Sequence, residues 1–79
     1  MRTQVTIYRN GQISRQFHKT GFKAALSYAA HELGKAVEHL TLDEKTVQVE
    51  TEFLSPKEWT CTVTCRDDEV FGITVEDTK

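Results

Sequence analysis

TGFKAALSYAAHELGKAVEHL, residues 20–40, carries the clearest periodicity in the chain. Phe22, Leu26, Ala29, Leu33, Ala36 and Leu40 recur at alternating spacings of four and three, the period of one face of an α-helix. Ala25, Ala30 and Val37 widen that stripe, while Lys23, Ser27, Glu32, Lys35 and Glu38 occupy the remainder. Thr20 is the expected N-cap, since its hydroxyl can accept from an unpaired amide of the first turn. Gly34 falls inside the helix, where glycine costs about 1 kcal/mol relative to alanine. Its alanine neighbours suggest that small residues let this helix lie close to its support. A helix with one apolar side needs a surface to lie on, and the flanking sequence supplies it.

Outside the helix the apolar residues alternate with a period of two. Residues 3–9 read as a strand, Asn10-Gly11 as a hairpin turn, and residues 12–18 as the return strand with Ile13 and Phe17 apolar. A three-residue loop of Arg9, Asn10 and left-handed Gly11 would pair Ile7 with Ile13 and Val5 with Arg15, gathering the aliphatic residues on one face. After the helix, Val47, Val49, Thr51 and Phe53 share a face, as do Trp59, Cys61, Val63 and Cys65, then Phe71, Ile73 and Val75. A five-residue loop at 54–58 pairs Phe53 with Trp59 and Val49 with Val63. A three-residue loop at 67–69 pairs Cys65 with Phe71 and Val63 with Ile73. The expectation is an α+β domain of two layers in the order ββαβββ, one amphipathic helix covering one face of an antiparallel sheet.

The chain has 79 residues, of which 38% are hydrophobic and 28% charged, enough for the core of one small domain spanning 1–79. No apolar stretch is long enough to span a membrane, and the first residues lack an apolar signal region, so a cytoplasmic location is expected. Cys61 and Cys65 lie four residues apart on one strand, a span of roughly 13 Å that no disulfide bridges. Both are expected as buried free thiols. His31-Glu32 begins a metalloprotease-like pair, but position 35 is lysine where the second histidine would stand. His31 and His39 are two helical turns apart, too far for a paired metal site, and with His18 they read as exposed. No nucleophile elbow or phosphate-cradling glycine loop occurs. The expectation is a non-enzymatic chain with no cofactor and no metal.

Charge is the remaining signal. The formal net charge is −2, yet residues 1–39 carry +4 and residues 40–79 carry −6. Arg9, Arg15, Lys19 and Lys23 form a candidate phosphate-contacting face. Asp67, Asp68 and Glu69 at a hairpin tip, with Glu50, Glu52 and Glu76 at outward strand positions, form a candidate acidic surface for a Lys/Arg-rich partner. In size, charge and element order over the whole chain, the protein resembles small phage-encoded inhibitors of the anti-CRISPR class. That resemblance implies a module that binds a CRISPR effector complex in the host bacterial cytosol and blocks DNA recruitment or cleavage. It also implies that carboxylates, here Asp67, Asp68, Glu69, Glu50 and Glu52, occupy lysines that otherwise hold nucleic acid. The alternative is a small nucleic-acid-binding domain using the Arg9–Lys23 face. A monomer or weak homodimer is expected in either case.

Overall fold

A computed structural model describes residues 2–43, 47–66 and 68–78, and these described residues form five strands and one helix. The order is β1 (Arg2–Arg9), β2 (Gln12–Thr20), α1 (Phe22–Asp43), β3 (Val47–Ser55), β4 (Glu58–Cys65) and β5 (Asp68–Thr78). The expected α+β architecture with order ββαβββ is what the chain adopts. All strand pairs are antiparallel, and the sheet runs β2-β1-β5-β4-β3. The final strand β5 therefore sits in the middle, joining the N-terminal hairpin to the C-terminal meander. Helix α1 packs mainly on β5 and β1, touches β2, and barely reaches β3.

Register places like residues in rows across the sheet. On the helix side, Phe17, Val5, Val75, Trp59 and Phe53 form one row through all five strands. Beside it run Arg15, Ile7, Ile73, Cys61 and Thr51. The middle of these rows is the core: Val5, Ile73 and Val75 are fully buried and Ile7 and Cys61 almost so. From the helix, Ala25 and Ala29 are the buried residues, small enough to bring the helix backbone down onto β5 and β1. Leu26, Leu33, Ala36, Val37 and Leu40 flank them, half buried.

The three hairpins share one device that replaces all three expected loops, and in the first and last it changes the expected register as well. Each is a two-residue turn flanked by a bulge. At the first, Asn10 and Gly11 both take positive φ (54° and 80°), Tyr8 pairs with Ile13, and Ser14 is the extra residue. Beyond that bulge Ile7 pairs with Arg15 and Val5 with Phe17, so the three-residue loop does not form and Ile13 stands on the far face. The right-handed strand twist is matched by a two-residue turn with positive φ at both positions, which glycine and asparagine tolerate. At the last hairpin Cys65 pairs with Asp68, Val70 is the extra residue, and Val63 pairs with Phe71 rather than Ile73. The middle hairpin has Ser55 opposite Glu58, Leu54 as the extra residue, and the expected Phe53–Trp59 and Val49–Val63 pairs. A turn plus a bulge and a longer loop both keep the apolar faces aligned. Only the register differs.

Two expectations about the helix are also corrected. Thr20 ends β2, and Gly21 is the N-cap: its φ is 95° and its carbonyl accepts from the Ala25 amide at 3.2 Å. Gly34 is exposed, and a Cβ built on it meets nothing within 4 Å, so it serves no close approach. At the far end of the sheet Asp77 ties three segments together. Its carboxylate accepts from the Thr3 hydroxyl at 2.5 Å, its second oxygen lies 3.5 Å from Lys57 Nζ, and its amide donates to the Lys57 carbonyl at 3.0 Å.

Two opposite stability changes follow. Gly34→Ala should stabilise the fold by about 1 kcal/mol through helix propensity alone. Ile73→Ala should destabilise it by about 2–5 kcal/mol through lost burial and a cavity. Urea titrations should show the midpoint rising for the first and falling for the second at unchanged slope.

Candidate functional site

The sheet face away from the helix is polar, and its register sorts the charges. One row reads Gln16, Thr6, Thr74, Thr60 and Glu52, from β2 to β3. The next reads Ile13, Tyr8, Gly72, Thr62 and Glu50, and a third His18, Gln4, Glu76, Glu58 and Ser55. Threonine is suited to such a strand surface, with its branched Cβ against the pleat; Thr60, Thr62 and Thr74 are half buried, whereas Thr6 is buried. Gln16 Nε2 donates to Thr6 Oγ1 at 3.1 Å. Tyr8 lies over Gly72, where an added Cβ would come within 3.7 Å of the tyrosine Cβ. From β5 to β3 this face carries Glu76, Glu58, Glu52 and Glu50. A shallow hollow lined by Glu50, Glu52, Thr60 and Thr62 lies at its β3 side.

The structure brings together part of the acidic set named from sequence. Glu50, Glu52 and Glu76 share the outer face, with β4 between them. Glu69 stands opposite Thr64 and so extends the same face toward the other end of the strands. Asp68 pairs with Cys65, whose row faces the helix, so it is separated from the others. Asp67 lies outside the described residues. Glu58, opposite Glu76, belongs to this surface, whereas the five-residue loop expected at 54–58 would have placed it in a turn. Its even spacing from Thr60 and Thr62 is the signal that it is a strand residue. Among the described residues, no cation pairs with Glu50 or Glu52.

The basic residues gather on the opposite side, along the β2 edge beneath the helix. Phe17 meets Tyr28 edge-on at 5.0 Å between centroids. The Arg15 guanidinium lies 5.2 Å from the Phe17 ring centre, and Lys19 Nζ lies 4.7 Å from that of Tyr28. Arg9 sits over Phe71 at 5.3 Å. Such cation–π contacts hold the cations in place over apolar rings. Lys23 is exposed on the first helical turn, near the end of β2. A cleft of about 310 Å³ adjoins this strip, with Arg9, Lys35, His39 and the acidic Glu32 around Phe71, Val70 and Leu40. Arg9, Arg15 and Lys19 thus lie on the helix side of the sheet, opposite the face that carries Glu50, Glu52, Glu58 and Glu76.

The thiols sit away from both surfaces. Cys61 and Cys65 are free and buried, as their inward alternation implied. Burial pushes the Cys61 thiol up to about 11, which keeps it protonated and a poor nucleophile at neutral pH. His18, His31 and His39 are exposed. Among the described residues no three of His, Cys, Asp and Glu come together as a metal-binding group. No helix there is long and apolar enough to cross a membrane. No protein-family model matches the chain, and no curated protein or solved structure matches it either.

The buried thiol makes alkaline stability directional. The unfolded chain loses the Cys61 proton near pH 9, whereas the folded chain keeps it to about 11. In that window the folded state holds more protons, so its stability is complete below pH 9 and falls as pH rises toward 11. The difference between wild type and Cys61→Ala in urea unfolding should therefore shrink by about 2–3 kcal/mol across that window. A constant difference would place the Cys61 thiol in water.

Proposed function

We propose that this protein is a non-enzymatic binding module of the anti-CRISPR kind, which engages a CRISPR effector complex through its acidic sheet face and blocks target DNA binding or cleavage. The observation that carries the reading is the acidic set Glu50, Glu52, Glu58 and Glu76 on one face of a sheet, continued by Glu69. Carboxylates held on a rigid, water-facing sheet at strand spacing present a fixed negative surface. Lysines and arginines that grip a nucleic-acid backbone are complementary to such a surface, and occupying them competes with the nucleic acid. The size of the chain and its resemblance to small phage inhibitors point to the same class of partner.

A second reading is favoured by the ordered cations on the helix side. Arg9, Arg15, Lys19 and Lys23, with Phe17 and Tyr28 between two of them, make a strip that a nucleic-acid backbone could follow. It predicts affinity for oligonucleotides that falls steeply with salt and is lost in Arg9→Ala/Arg15→Ala.

Purified CRISPR effector–guide complexes of several types, each offered labelled target DNA with and without the protein, test the leading reading. One type should lose DNA binding or cleavage near equimolar protein. Replacing Glu50, Glu52 and Glu58 together with lysine should raise the concentration needed by more than tenfold, while reversal of Asp68 and Glu69 measures the share of the hairpin tip. Undiminished DNA binding and cleavage in every type would overturn the proposal.

A further inference from the structure

Phe17 and Phe53 end the same row of the sheet, one on each edge strand, and the fold treats them oppositely. Phe17 is half buried, with Tyr28 against it and Arg15 and Lys19 over its ring. Phe53 is 59% exposed, and Val49 on the same strand face is 43% exposed. The helix that shelters the β2 side barely reaches β3 and leaves Val49 and Phe53 uncovered. By helical geometry its flank turned from β2 presents Leu26, Leu33 and Val37, all half buried. Together with Trp59 these leave an apolar step beside β3 on the helix side. The edge itself is also open. Its bulge is confined to Leu54, its only proline neighbour is in the turn, and residues 47–53 pair regularly with β4 on one side only. Natural edge strands are usually blocked by charged side chains, above all lysine, or by proline, a bulge or a cover. Among the described residues β3 carries only Glu50 and Glu52 of these along its centre, and their charge leaves the edge open to a cationic strand.

We propose that β3 receives an extended segment of a partner protein as a sixth strand, and that this segment alternates apolar residues with lysine or arginine. This rests on the reading of the acidic sheet face as the interaction surface, and it adds the mode of binding. A strand laid beside β3 has its side chains alternating between the two faces of the sheet. On the helix side they would cover Val49 and Phe53; on the outer face they would stand about 5 Å from Glu50 and Glu52. Apolar residues answer the first requirement and cations the second.

The charges also argue against a second copy of this chain. Antiparallel pairing of two β3 strands about Thr51 sets Glu50 against Glu52 of the other copy, twice, and like charges opposite each other are destabilising. Pairing β3 with the β2 edge of another copy, sheet face continuing sheet face, brings Gln16 and His18 to the acidic side and Arg15 and Lys19 to the apolar side. Neither arrangement supplies a cation to Glu50 or Glu52.

The probe is a synthetic seven-residue peptide, acetyl-Lys-Val-Lys-Ile-Arg-Val-Lys-amide, compared with one of the same composition in which apolar and basic residues are blocked rather than alternating. Binding is followed by calorimetry and by amide hydrogen exchange. The alternating peptide should bind more tightly than the blocked one, and every second amide of residues 47–53 should slow by tenfold or more at saturation. Glu50→Lys/Glu52→Lys and Val49→Thr/Phe53→Thr should each weaken binding by more than tenfold, with β5 amides unchanged as the control for folding. Equal binding of both peptides without protection of β3 overturns strand addition yet leaves the acidic face as a charged surface. Absent binding overturns it as well, and the effector assay then reports separately on the acidic face. Protection of β3 that rises with protein concentration in the absence of peptide assigns the edge to a second copy and overturns the proposal too.

Discussion

One helix cannot cover five strands. An α-helix with its side chains is about 10 Å across, whereas five strands spaced at about 4.8 Å are nearly twice as wide from first to last. The helix must therefore choose where to lie, and its residues decide. Ala25 and Ala29 allow close approach, and they settle over β5 and β1, where Val5, Ile7, Ile73 and Val75 are deepest. β5 joins the hairpin to the meander, so this placement covers the seam on which closure of the sheet depends. The remaining width falls to the two edges.

Those edges are finished differently. On the β2 side the chain enters the helix directly after Thr20, which keeps Tyr28 within reach of Phe17, and Arg15 and Lys19 close over what is left. On the β3 side the chain arrives from the far end of the helix, and residues 49–54 run out beyond it. Val49, Phe53 and Leu54 are the exposed large apolar residues there. The difference follows from connectivity: a helix joining one edge to the other crosses the sheet obliquely, and only the edge where it starts gains its full first turns as cover.

Much of this is legible in the residues. Period-two alternation identifies every strand, and the four-three spacing identifies the helix and its buried face. The middle hairpin follows from alternation in its true register. The other two do not, because a bulge and an extra loop residue have the same effect on alternation: both keep odd positions facing odd positions. Ser14 and Val70 look like ordinary strand residues, and nothing in their chemistry marks them as unpaired. The exposure of Val49 and Phe53 is hidden for a related reason. Their pattern is that of Val5 and Ile7, and burial differs only through the path of a helix whose tilt no local pattern encodes. Of the acidic set, alternation places Glu50, Glu52 and Glu76 correctly on the outer face. It cannot show that Asp68 turns toward the other face, since that depends on the two-residue turn.

The outer face makes sense of the open edge. Its rows pass from Gln16, His18 and Gln4 on β2 and β1 to Glu76 on β5, Glu58 on β4 and Glu50 and Glu52 on β3, so two of the four carboxylates stand on the unpaired strand itself. A carboxylate on an edge strand does two things at once. It opposes pairing with an identical strand, since the same carboxylates would meet, and it leaves the backbone hydrogen-bonding groups accessible, as a covering loop or proline would not. Lysines at these positions would protect the edge equally well against copies of itself but would repel a basic partner. With Glu50 and Glu52 on one side of the strand and Val49 and Phe53 on the other, the edge discriminates by charge and by hydrophobicity together. That combination separates an edge that merely avoids aggregation from one that selects what may pair with it.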